Sequence, residues 1–110
     1  MQTTETSVDL FEQLRASADQ ASQFMKAMAN TDRLMLLCQL SQGEKSVGEL
    51  ECQLDLHQPS LSQQLTVLRE AHLVTTRREG KNIYYRISNP AALTVIQVLH
   101  QEFCHRTVTA

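Results

Sequence analysis

Apolar positions fall at helical spacing along most of this chain and switch to strand-like alternation only after His72. From about Asp9 to Met28, the residues Leu10, Leu14, Ala18, Ala21, Met25 and Met28 keep a period near 3.6 with no Gly or Pro between them, which predicts a long helix. Asn30-Thr31-Asp32 supplies turn and cap residues, and a second helix follows through Leu34, Leu37, Cys38 and Leu40 until Gly43 stops it. Cys38 shares the Leu34 face and is expected to point inward. Ser46-Val47-Gly48-Glu49 has the capping-box form and opens a short third helix to about Leu54. Asp55-Leu56-His57 then leads into a fourth helix, with Gln58 as cap and Pro59 as first helical residue, where its missing N–H costs nothing. After His72, the runs Val74 to Arg78 and Ile83 to Ile87 flank the turn-forming Glu79-Gly80-Lys81-Asn82 and predict a hairpin. Ile83, Tyr85 and Ile87 should face the core, leaving Tyr84 and Arg86 exposed. Asn89-Pro90 launches a last helix through Leu93, Ile96, Leu99 and Phe103, ending near Arg106.

The fourth helix stands out for its polar face. Leu61, Leu65 and Leu68 form one apolar stripe, while Ser60, Ser62, Gln63, Gln64 and Thr66 are short or amide side chains with no acid among them. Such groups can hydrogen-bond to base edges in a major groove without repelling phosphate. Two helices joined by a few residues, the second polar-faced, make a helix-turn-helix pattern.

Charge strengthens that reading once it is partitioned. The net charge of −2 disfavours a nucleic-acid binder, yet residues 1–57 carry four basic side chains against nine acidic ones, while residues 58–86 carry Arg69, Arg77, Arg78, Lys81 and Arg86 against Glu70 and Glu79. The positive charge sits with the polar helix and the hairpin. A local basic stretch on an acidic protein can bind DNA with salt-sensitive affinity while nonspecific binding stays weak. Base contacts are expected from Ser60, Ser62, Gln63 and Gln64, with Thr66 and Arg69 nearby, and phosphate contacts from Arg77, Arg78 and Lys81.

The whole order predicts a mainly α fold with a β-hairpin, a winged helix-turn-helix: a disordered stretch at 1–8, then one DNA-binding and dimerisation domain at 9–107. A unit this small cannot also bury two amphipathic end helices, so a homodimer through the terminal helices is expected, on double-stranded DNA. No stretch is apolar enough for a membrane span, no secretory signal is evident, and a cytoplasmic protein is expected. Three cysteines in such a compartment suggest reactive or buried thiols rather than a disulfide scaffold. Neither a Ser/His/Asp grouping nor a Gly-rich phosphate loop is present at useful spacing, which argues against an enzyme.

The runs Met28-Ala29-Asn30-Thr31-Asp32-Arg33-Leu34 and Ser46-Val47-Gly48-Glu49-Leu50, the polar helix, Leu73-Val74 through Gly80, and Tyr84-Tyr85-Arg86 together resemble the ArsR/SmtB family of dimeric bacterial repressors. The resemblance spans nearly the whole chain. Arsenic and cadmium sensors of that family place two thiolates where this chain has Ser46 and Gly48. Its zinc sensors use an Asp-x-His pair that is missing before His100 and His105. His57, His72, His100 and His105 therefore read as surface or packing residues, with no metal and no cofactor implied.

The thiol-based branch fits better. Cys38 and Cys104 match the positions of its reactive pair, and Cys52 has no counterpart there. This resemblance implies a redox switch in which Cys104, flanked by His100, His105 and Arg106, attacks and Cys38 resolves, with loss of promoter binding. It also implies target genes in virulence or in sulfide and oxidant response, and competition with a nucleoid silencing protein. A metal-responsive repressor, a regulator with no inducer site and a protein-interaction adaptor are the alternatives.

Overall fold

The structure is a computed structural model that describes the backbone of residues 2–104 and the side chains of residues 9–104. Five α-helices and a small sheet follow in the order α1 (Gln2–Met28), α2 (Thr31–Leu40), β1 (Lys45–Ser46), α3 (Val47–Leu54), α4 (Ser60–Glu70), β2 (Val74–Glu79), β3 (Asn82–Ile87) and α5 (Pro90–Leu99). A π-helical turn, His100–Cys104, continues α5. Among the described residues no helix is long and apolar enough to cross a membrane.

Local chemistry sets most of the boundaries. Asn30 caps α2 by accepting from the Arg33 N–H at 3.0 Å. Ser46 and Glu49 form the reciprocal capping box of α3, with bonds of 3.2 and 2.8 Å. Asn89 accepts from the N–H groups of Ala91 and Ala92 at the start of α5. At the end of α4, His72 adopts a left-handed φ of 61°. The Leu73 N–H donates to the Leu68 carbonyl and the His72 N–H to that of Arg69, a Schellman motif. Its two apolar members, Leu68 and Leu73, are both buried.

The core lies between α2, α3, α4, α5 and the sheet, around Leu36, Leu37, Leu50, Leu61, Leu65 and Ile96. Helix α1 joins it only through its last turns, by Met28 with half-buried Phe24 and Ala27. From Asp9 to Gln23 every side chain of α1 is exposed.

Five expectations change. Residues 2–8, expected to be disordered, continue α1, since this polar stretch has no Gly or Pro to break it and no apolar stripe to signal it. The cap of α4 is Pro59 and not Gln58: the Pro59 carbonyl takes the Gln63 N–H at 3.1 Å, and no side chain caps the helix. The hairpin belongs to a three-stranded antiparallel sheet of order β1-β3-β2, because Lys45 and Ser46 pair with Tyr85 and Tyr84. A two-residue strand is too short to show a period. Tyr84, expected to be exposed, is half-buried, with the Arg77 guanidinium 4.6 Å from its ring centre. The last helix changes to π geometry at His100, and its expected end at Arg106 lies outside the described residues, as do His105 and the C-terminal domain boundary at 107.

Candidate nucleic-acid interface and thiol site

Helix α4 turns Leu61, Leu65 and Leu68 inward, and this fixes which side chains it can offer outward. Ser62, Gln63, Thr66 and Arg69 are exposed, whereas Ser60 and Gln64 are half-buried. Two hydroxyls already donate locally: Ser62 to the Gln58 side-chain oxygen, and Thr66 to the Ser62 carbonyl at 2.8 Å. Their oxygens remain available as acceptors. Gln64 is held from behind, its Oε1 accepting from Arg33 Nη1 at 2.8 Å. Gln63, by contrast, has no side-chain partner among the described residues.

The wing approaches the same surface. A cleft of about 390 Å³ between α4 and the hairpin is lined by Gln58, Ser62 and Thr66 on one side and Lys81, Asn82 and Tyr85 on the other. Lys81 sits in the hairpin's two-residue turn beside Gly80, whose φ of 63° the tight reversal requires. Arg78 and Lys81 are exposed and make no ion pair among the described residues. Arg77 differs. Its Nε donates to both Glu44 oxygens at 2.9 Å, its Nη2 lies 2.8 Å from Glu44 Oε1, and its Nη1 pairs with Glu79. The Glu44 carboxylate, and after it Glu79, raises the Arg77 pKa further above its ordinary value. Arg77 is thus committed within the wing, although sequence pattern grouped it with Arg78 and Lys81.

The structure brings Cys38 and Cys104 together and leaves Cys52 apart. Both line one apolar cavity of about 300 Å³, with Leu34, Ile96, Leu99, His100 and Phe103. Each is half-buried, Cys52 is exposed on α3, and all three are free thiols. Burial, with Cys104 as a second cause, pushes the Cys38 thiol pKa up from its usual value. Ser41 donates to the Cys38 carbonyl at 2.6 Å and ties off this end of α2. No three His, Cys, Asp or Glu side chains gather where they could hold a metal ion among the described residues. His105 and Arg106, expected to flank Cys104, lie outside the described residues.

A family profile described as bacterial regulatory protein, arsR family, matches residues 30–76, from the cap of α2 into β2. The biofilm growth-associated repressor of Agrobacterium fabrum is 53% identical over 87 residues, covering 79% of this chain and 74% of that protein. The chain belongs to the ArsR family of bacterial regulatory proteins. This ArsR-family protein is a DNA-binding transcription regulator and not an enzyme. The transcriptional activator HlyU of Vibrio cholerae is 40% identical over 93 residues, covering 84% of this chain and 86% of that one. A structure of reduced HlyU from that organism superposes with a TM-score of 0.81 at 40% identity, over 84% of this chain and 98% of the other. The homodimeric winged helix-turn-helix DNA-binding domain Mb0332 from Mycobacterium bovis has a TM-score of 0.72 at 29% identity, over 87% of this chain and 89% of its own. The likeness to the ArsR/SmtB family was already carried by the sequence motifs.

Sequence pattern alone missed Arg33, Glu44 and Gln58. Their partners Gln64 and Arg77 lie 31 and 33 residues away for the first two, so no local spacing reports them. Gln58 and Ser62 stand four apart, at the spacing of one helical turn, which was the available signal.

Proposed function

We propose that this regulator is a homodimer that grips promoter DNA through α4 and the wing and releases it when Cys38 and Cys104 are linked. The observation that carries this reading is the shared cavity: two thiols 66 residues apart in sequence line the same apolar pocket. Exposed Leu10, Phe11, Leu14 and Met25 on α1, and Val98 and Phe103 at the other end, supply the apolar surface that a second copy would cover. Pairing through these helices presents two α4 helices to successive major-groove faces, about 34 Å apart for half-sites one turn apart. Ser60, Ser62, Gln63 and Thr66 then face base edges, with Arg69, Arg78 and Lys81 toward phosphates.

Attack of the Cys104 thiolate on an interior sulfur of inorganic polysulfide forms a sulfur chain on Cys104 and expels a shorter polysulfide. Attack of the Cys38 thiolate on that chain closes a bridge and expels hydrosulfide; the two thiols lose two electrons and the polysulfide gains them. Cys38 suits the second role, because burial keeps its thiol protonated. Such a cross-link constrains the chain by about 4 kcal/mol on the loop-entropy estimate, enough to bias a two-state orientation. Binding that occupies a promoter suits both a repressor and an activator that displaces a nucleoid silencing protein, with targets among virulence or sulfide- and oxidant-response genes.

The test is DNA binding by the reduced protein before and after inorganic polysulfide, with intact-mass analysis, beside Cys38→Ser and Cys104→Ser. Affinity should fall as a bridging mass appears, and either substitution should abolish the response. Bridge closure should quicken as pH rises, since the raised Cys38 pKa leaves little thiolate near neutrality. Reduced protein that binds DNA and ignores polysulfide would return both cysteines to packing roles.

A further inference from the structure

Helix α1 is held to the winged unit only at its last turns, through Met28, Phe24 and Ala27. An open cavity of about 610 Å³ separates its last turns from α4, with Gln20, Gln23 and Phe24 on one wall and Val67, Glu70 and Ala71 on the other. Beside the apolar contacts of Phe24, Ala27 and Met28 with the core, one side chain bridges this cavity with hydrogen bonds. Arg33, from the first turn of α2, donates from Nε to the Ala27 carbonyl at 2.6 Å and from Nη2 to the Lys26 carbonyl at 3.2 Å. Its Nη1 donates to Gln64 Oε1 at 2.8 Å. The two carbonyls belong to the last turn of α1, where helices present unsatisfied acceptors and a partial negative charge. A half-buried, planar guanidinium thus fastens the end of α1 to the side of α4 in three directions.

We propose that Arg33 is a positioning residue that fixes the direction of α1 relative to α4, and thereby the half-site spacing that the dimer accepts. This rests on the dimeric DNA-binding reading above. The leverage is large. A tilt of about 10° at the base of a helix roughly 40 Å long moves its far end by about 7 Å, whereas one base-pair step is about 3.4 Å. Small angular freedom at Arg33 therefore spreads over one to two base pairs at the DNA. Gln64 serves this fastening through its oxygen instead of reading a base. Lysine cannot replace Arg33, because a single ammonium lacks the flat fork that reaches Ala27, Lys26 and Gln64 together.

The test uses the full-length reduced protein and duplexes recovered by the wild type from a random pool, with the spacer between half-sites altered by up to two base pairs either way. Wild-type affinity should fall about tenfold for each base pair of change, as the mismatch is forced into DNA deformation. Arg33→Lys and Gln64→Leu should flatten this profile to less than about threefold across the whole series. Gln64→Glu should bind more weakly at every spacing yet keep the steep profile, because its carboxylate retakes Arg33 while its charge opposes phosphate. Gln64→Leu needs no buried charge to be rehoused, so it serves if Arg33→Lys does not fold. Variants that lose affinity evenly, with the wild-type profile intact, overturn the proposal. So does a Gln64→Leu protein that changes preference at one base position and keeps its spacing preference. Failure of the wild type to bind any duplex overturns the dimeric reading itself, and this inference with it.

Discussion

Helices α1 and α4 carry the same kind of apolar stripe and meet opposite fates. Leu61, Leu65 and Leu68 of α4 are at most 2% exposed, whereas Leu10, Phe11, Leu14 and Met25 of α1 are 58–67% exposed. Periodicity says that a helix has an apolar face; it does not say whose surface covers it. Here the stripe of α4 is closed by its own chain, through α2, β2 and the last turns of α1, and its end is locked by the Schellman motif at His72. Helix α1 is closed only at its last turns, and its remaining stripe stays exposed. One region stores the stability of the protomer; the other, on the dimeric reading proposed above, stores its capacity to assemble.

The sharpest way to break this contrast is to remove the same side chain from each helix. Leu65→Ala should destabilise the protomer by about 2–5 kcal/mol, read as a lower urea midpoint. Leu14→Ala should leave unfolding of the dilute protomer nearly unchanged and instead weaken self-association in sedimentation equilibrium. Equal losses of stability from both would mean that α1 is closed within its own chain.

The wing repeats the contrast on a smaller scale, between Arg77, which is satisfied internally, and Arg78, which is open. Arg78→Ala should weaken binding to all DNA sequences alike and reduce the slope of log affinity against log salt by about one. Arg77→Ala should leave that slope closer to wild type while loosening the wing around Tyr84. Identical salt slopes would show that Arg77 leaves Glu44 for phosphate on binding.

The mildest test concerns a closed helix end. Ser46→Ala should cost about 1 kcal/mol, measured by thermal or urea unfolding. The Ser46 backbone N–H and hydroxyl lower the Glu49 pKa, so the stabilisation from that carboxylate is present above the ordinary Glu range. It is lost as pH falls through the lowered folded value. Glu49→Gln should remove this part of the acid dependence, and an unchanged acid limb would mean that the box does not persist in solution.

Much of this was legible in residue order. The capping box, Asn30, Asn89-Pro90 and the Gly80 turn each pair a local cause with a local effect, so the elements could be placed before any packing was known. The stripe of α4 and the inward turn of Cys38 follow from the same periodicity. What escaped was set by partners distant in sequence: β1 exists because β3 lies beside it, and Arg77 is neutralised by Glu44 from the far side of two helices. His72 escaped for another reason. Its left-handed φ is a position where glycine is usual, and burial of Leu73 against Leu68 holds histidine there instead.

Ser46 belongs to the sheet through its backbone, opposite Tyr84, and to α3 through its hydroxyl. One residue therefore rivets the helix-turn-helix to the wing with no length of loop between them. Each protomer should press on a duplex like a seal of fixed outline. Hydroxyl-radical cleavage would then show the same pattern of protected sugars inside each imprint in the presence and absence of inducer, while occupancy and the gap between imprints alone respond.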